Sequence, residues 1–307
     1  MVAARDDDGQ SRRLRRPPRG SLFGHLATGD RLGRAACRGG NGARDDGIRQ
    51  AFRQAGARLR LSVVEWGDPA GTPVICLHGV TGHGRRFRRL AEERLSAYRV
   101  IGYDCRGHGR SGWEPPWSVE QHVADVVETS DALGASRATW VGHSFGGKLV
   151  AELASRHPDR VERAVLLDPA MQLDPAVAGE RADLTRADVS FADADAAIEA
   201  RLGDGSVFTT SWETLEEEMR EHLIEGRDGR FRMQYAPAAA VVAWSEMASV
   251  TPPWPGCPTL VVCGEQSWVT VTVPRNGHIT RVDVPGGHSI LWDDFDAAAD
   301  AIVQFLG

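Results

Sequence analysis

The run ATWVGHSFGGKLVAELASRH, Ala138 to His157, constrains this chain more than any other stretch. Its first residues read as a buried strand. Its last dozen read as a helix that Pro158 ends. Between them lies Gly142-His143-Ser144-Phe145-Gly146. A serine on a sharp strand-to-helix turn is strained, and side chains on its flanks would collide with the sheet. Glycine at 142 and 146 removes that collision and leaves the Ser144 hydroxyl at the carboxyl edge of the sheet.

The surroundings repeat the strand–helix rhythm. Residues 58–67 alternate like a strand and stop at Gly67-Asp68-Pro69. PVICLHG (73–79) and the start of RVIGYDCRGHGRSG (99–112) are apolar runs that end in glycine-rich turns, as does RAVLLDPA (163–170) at its proline. Ser118 followed by Gln121 has the form of a capping box, opening a helix whose face carries Val119, His122, Val123, Val126 and Val127. Strand and helix alternating in this way predict an α/β fold with a mostly parallel, doubly wound sheet. From 171 to 253 the pattern turns helical and acidic and closes on the stiff TPPWPGCP. The strand pattern resumes at TLVVCG and HITRVDVPG, and an amphipathic helix ends the chain. The expected organisation is a basic, disordered tail over 1–47, a core domain over 48–170 and 254–307, and a helical cap over 171–253 that covers a pocket.

Charge and cysteine content narrow the partners. Residues 1–50 hold eleven arginines against six aspartates, five net positive charges; the whole chain of 307 residues carries −6, so the remainder carries −11. That balance argues against a nucleic-acid binder held by phosphate contacts. No apolar run approaches the ~18 residues of a membrane span, and no apolar core follows the basic SRRLRR of an export signal. Five cysteines without metal-type spacing read as reduced thiols in a cytoplasmic protein. No cofactor or metal is implied, and the oligomeric state is open. The single lysine, Lys148, lies on the nucleophile helix with no partner visible in the sequence.

A serine hydroxyl needs a base. His288, in the glycine-rich VPGGHSI after the last strand, is the candidate; His78 and His108 belong to turns that they hold by hydrogen bonds. Two backbone donors are needed for an acyl-transfer oxyanion. The Phe145 N–H, at a helix start, is one, and the Val80 N–H, in HGVTGHG after a strand, is the other.

LHGVTGHGRRF, YDCRGHGRSG, VGHSFGGKLVAELASRHPDRV and VPGGHSI, in that order, resemble the α/β-hydrolase superfamily over about residues 57–307. The resemblance implies a Ser–acid–His triad, an oxyanion hole and a helical cap between the sixth and seventh strands. It also raises a difficulty. The superfamily's usual acid follows the strand that is here TLVVCG, where this chain has Glu265-Gln266-Ser267-Trp268. Some members carry the acid at the end of the preceding strand instead, where this chain has Asp168. Asp168, Glu265 and a triad without a working acid all stay open, with Asp168 preferred. Asp104 is expected to tie down the RGHG turn. The function expected is a serine hydrolase of a small or medium carboxylic ester. The alternatives are a carbon–carbon bond or lactone hydrolase with the same residues, and a catalytically weak ligand-binding protein on the same fold.

Overall fold

The computed structural model describes residues 61–204 and 207–307. The expected tail over 1–47 and the start of the core at 48 lie outside them. Among the described residues seven strands form one sheet: β1 (Ser62–Gly67), β2 (Pro73–Leu77), β3 (Arg99–Asp104), β4 (Ala138–His143), β5 (Val161–Leu167), β8 (Thr259–Gly264) and β9 (Ile279–Val284). Their order is β1-β3-β2-β4-β5-β8-β9. β1 runs antiparallel to β3 and every other pair is parallel. A parallel strand covered on both faces is apolar throughout rather than alternating. Val74, Ile75, Cys76 and Leu77 accordingly lie wholly buried in β2.

The crossovers are α1 (Arg88–Glu93), α2 (Val119–Ala132) and α3 (Phe145–Arg156), and the short α8 (Ile290–Asp293) leads into α9 (Phe295–Leu306). The capping box before α2 is half realised. Ser118 Oγ accepts the Gln121 N–H at 3.3 Å, but the Gln121 side chain turns to Asp125 Oδ1 at 2.9 Å. Asp125 is drawn into a buried pair with Arg106, whose Nε and Nη2 each lie 2.5 Å from its oxygens.

The segment between β5 and β8 forms the cap. It holds α4 (Pro175–Arg186), α5 (Ala194–Gly203), α6 (Trp212–His222), a small hairpin β6 (Leu223–Glu225) and β7 (Phe231–Met233), and α7 (Pro237–Met247). Counted from the first described strand, the cap follows the fifth strand of the sheet. The sixth–seventh placement implied by the resemblance counts one strand more. The hairpin was not expected, since 211–226 reads as one helix. The Asp228-Gly229 turn, with Gly229 at φ 70°, reverses the chain and pairs Leu223 with Met233.

The two roots of the cap are tied to each other, and the start of α7 is tied to the core. Leu173 N–H donates to Met247 O at 2.8 Å, and Ala236 N–H to Gly107 O at 2.7 Å. The sole lysine has partners after all. Lys148 Nζ, fully buried, donates to Met171 O (3.1 Å), Ser249 Oγ (3.3 Å) and Val250 O (3.1 Å). These lie where the cap leaves the core and where it returns. No local pattern could show them, because they sit 23 to 102 residues away.

Candidate active site

Ser144 joins β4 to α3 with φ 54° and ψ −116°, a conformation that favours glycine and that a side chain pays for in strain. The turn is so tight that a Cβ on Gly142 would fall 2.3 Å from Gly146 O. One on Gly146 would fall 2.2 Å from Leu77 O. The glycines are therefore steric requirements of the turn. Ser144 Oγ–H donates to His288 Nε2 at 2.9 Å, and His288 Nδ1–H donates to Asp168 Oδ2 at 2.5 Å. The three groups come from the ends of β4 and β5 and from the loop after β9, all at one edge of the sheet.

Asp168 is wholly buried and also left-handed, at φ 42°. Its N–H is held by Val262 O at 2.7 Å, which fixes the carboxylate against β8. Oδ1 accepts the Gly264 N–H at 3.2 Å. Oδ2, the oxygen facing His288, also accepts the Ser267 hydroxyl at 2.5 Å. The loop that lacks an aspartate thus contributes a hydrogen-bond donor to an acid carried by the neighbouring strand. Glu265 is exposed, and the hydrogen bonds of His288 do not include it.

The amides of Val80 and Phe145 make no hydrogen bond among the described residues. The β2 loop that carries Val80 is built by His78. Its Nδ1–H donates to Gly79 O at 2.7 Å, and its Nε2 accepts the Cys105 N–H at 2.9 Å. Burial pushes the His78 imidazole well below its ordinary pKa, so it stays neutral and keeps this tautomer. Asp104 accepts the Gly84 and Arg110 N–H groups at 2.7 and 2.9 Å, tying the β2 loop to the RGHG turn.

Several contacts of the site were not legible in the sequence. His143 donates Nε2–H to His288 O at 2.8 Å; burial lowers its pKa to about 3. Asp293 accepts the N–H groups of Phe208, Thr209 and Thr210 on Oδ1 and that of Gly287 on Oδ2. It therefore ties the His288 loop to the cap. Trp268, in the loop where the superfamily's usual acid is expected, packs against His288, with ring centroids 5.0 Å apart. Trp113 and Phe208 are substantially exposed, and Trp244 is buried with its ring 6.3 Å from that of Trp268.

One cluster among the described residues brings metal-type ligand atoms within 4.8 Å of one another: His83, Glu218 and His222. Its carboxylate is already taken up. Glu218 accepts His83 Nε2–H (2.9 Å), His222 Nδ1–H (3.2 Å) and both Nε and Nη2 of Arg86 (2.8 and 2.6 Å). The cluster fastens α6 to the loop after β2.

Set beside known proteins, residues 72–295 match the family described as "alpha/beta hydrolase fold", and the chain belongs to that family. It is 36% identical over 205 residues to the lipase LipV of Mycobacterium tuberculosis, covering 66% of this chain and 78% of that protein. It is 28% identical over 265 residues to a putative 2-succinyl-6-hydroxy-2,4-cyclohexadiene-1-carboxylate synthase of Bacillus subtilis, covering 74% and 91%. Among solved structures, E-2-(acetamidomethylene)succinate hydrolase superposes with a TM-score of 0.69 at 23% identity over 80% of this chain and 94% of that one. No helix among the described residues is long and apolar enough to cross a membrane.

Proposed function

We propose that this protein is a serine hydrolase of small or medium carboxylic esters, with Ser144 as nucleophile, His288 as general base and Asp168 as the acid that orients it. The observation that carries the reading is the unbroken relay: Ser144 Oγ to His288 Nε2 at 2.9 Å, and His288 Nδ1 to Asp168 Oδ2 at 2.5 Å. As the Ser144 oxygen bonds to the ester carbonyl carbon, its proton passes to His288. The imidazolium forms against the buried Asp168 carboxylate. The carbonyl oxygen becomes an oxyanion, taken up by the Val80 N–H of the β2 loop and by the Phe145 N–H at the amino end of α3, where the helix dipole adds to it. His288 returns the proton to the departing alcohol. Water, deprotonated by the same histidine, then attacks the acyl-serine and restores Ser144.

The lipase relative supports ester chemistry. The four described cysteines, all free, suit a cytoplasmic setting. The test is hydrolysis of short p-nitrophenyl esters by wild type, Ser144→Ala and Asp168→Asn. Turnover by wild type is expected, with none above background for Ser144→Ala and about 10⁴-fold less for Asp168→Asn. A wild type inert on every chain length, or an Asp168→Asn protein with full activity, contradicts the reading.

A further inference from the structure

Arg181 stands out among the charged residues near the site. Ala178, Arg181, Ala182 and Thr185 share one stripe of α4, at the spacing that turns a helix face inward. Ala178 is buried, and Ala182 packs against the core. Arg181 therefore sits on the core-facing stripe of a cap helix. Its guanidinium carbon lies 4.9 Å from the centroid of the Trp268 ring, the ring that packs at 5.0 Å against His288. One aromatic side chain separates the guanidinium from the base.

The Arg181 carbonyl accepts the Thr185 hydroxyl at 3.1 Å, but its guanidinium makes no hydrogen bond or ion pair among the described residues. The other half-buried arginines of the cap differ. Arg201 faces Asp204 at 3.4 Å, and Arg232 is held by Asp188 and Asp228 at 2.8 and 2.9 Å. The acids on its own helix are directed elsewhere. Asp183 pairs with Arg186 at 2.7 Å, and Asp174 caps the first turn through the Ala176 N–H. Glu180, one residue away, lies on the exposed side. A half-buried guanidinium that meets an aromatic ring and no carboxylate keeps its hydrogen-bond donors open to an anion that a ligand brings.

We propose that Arg181 forms a carboxylate-binding subsite, so that the preferred ester carries an anionic group on its acyl chain. The inference rests on the proposed triad. The guanidinium carbon cannot lie further from the His288 ring than those two spacings, 4.9 and 5.0 Å, laid end to end. At ~1.5 Å per carbon–carbon bond, a dicarboxylic acyl chain of about four or five carbons spans the remaining gap once the carboxylate approaches the guanidinium. Arg181 offers a planar fork of donors matched to a carboxylate, and the Trp268 ring lies 4.9 Å from its guanidinium carbon. Hydrolysis follows the same steps: the acyl C–O bond breaks, the alcohol leaves with the proton, and water releases the dicarboxylate from Ser144.

The experiment compares mono-p-nitrophenyl glutarate with p-nitrophenyl valerate, an anionic and a neutral acyl chain of equal length. kcat/KM is measured for wild type, Arg181→Met and Arg181→Lys. Wild type is expected to favour the glutarate by about tenfold to a hundredfold, the scale of one charge-assisted pair. Arg181→Met loses that ratio, and Arg181→Lys, which keeps the charge and loses the fork, retains an intermediate one. A wild type that cleaves the valerate with no preference for the glutarate overturns the subsite and leaves the triad standing. So does an Arg181→Met protein with the ratio intact. A wild type that cleaves neither ester overturns the triad reading beneath both.

Discussion

Replacing Lys148 by methionine tests how the cap is held. Methionine keeps most of the aliphatic stem and volume and deletes the ammonium. Three acceptors lose a donor: Met171 O, Ser249 Oγ and Val250 O. They are not equal. Val250 is 82% exposed, and Ser249 is exposed and has its own bond to Glu246 O, so water replaces the ammonium at both. Met171 is buried, and its carbonyl is left without a donor. An unsatisfied buried acceptor costs about 1–3 kcal/mol. Against this stands relief from burying a cation with no carboxylate bonded to it, a burial that holds the Lys148 pKa below 10.5. The net expectation is a loss of about 1–2 kcal/mol, or roughly 2–8 °C in Tm for a domain of this size. Urea denaturation followed by circular dichroism measures the loss, and limited proteolysis reports opening of the cap.

The folded state disfavours charged Lys148, so the unfolded chain binds more protons. Stability then rises with pH between the lowered folded pKa and 10.5 in wild type, and that rise is missing in Lys148→Met. A Lys148→Met protein as stable as wild type, with an equally protected cap, refutes the account of Lys148 as the pin of both cap roots.

Ser267→Ala removes the hydroxyl from Asp168 Oδ2 and should lower kcat/KM by about tenfold, a fraction of a bond to a charged group. Ser267→Thr should restore most of it; equal kinetics for the alanine and threonine variants would separate Ser267 from the triad. Gly146→Ala forces a methyl to 2.2 Å from Leu77 O, so the turn opens or the protein fails to fold, and soluble, fully active protein would contradict the steric reading. Buried His108, His122 and His222 and half-buried His143 have folded pKa values of about 4, 3, 4 and 3 against 6.5. Each binds its proton more readily when unfolded. Stability is therefore lost as pH falls from 6.5 towards 4, at up to ~1.4 kcal/mol per pH unit for each group. A stability flat across that window, by denaturation at stepped pH, would count against their burial as neutral rings.

What the sequence made legible was local or set by the sheet. The turn at Ser144 announces itself because the steric demand falls on residues two positions away. Asp168 could be favoured because all parallel strands end at one edge, so an acid on either of two neighbouring strands is brought towards the same histidine. Glu265 fell away because its loop turns it to solvent. The contacts that were missed join residues far apart in the chain. Ser267 and Asp168 are 99 positions apart, His143 and His288 are 145, and Asp293 and Phe208 are 85. Nothing in the composition of either member points to the other. Gln121 shows a second kind of limit. Its spacing from Ser118 was right for a capping box, yet Asp125, one turn further on, offered the stronger acceptor.

In the proposed chemistry Ser144 is acylated with His288 as its base. Intact-protein mass spectrometry after incubation with a fluorophosphonate tests it most directly, with peptide mapping of the adduct. The account predicts one covalent addition, on the peptide containing Ser144, that is absent from Ser144→Ala and much slower in His288→Ala. An adduct on another residue, or none on wild type of intact fold, would contradict it.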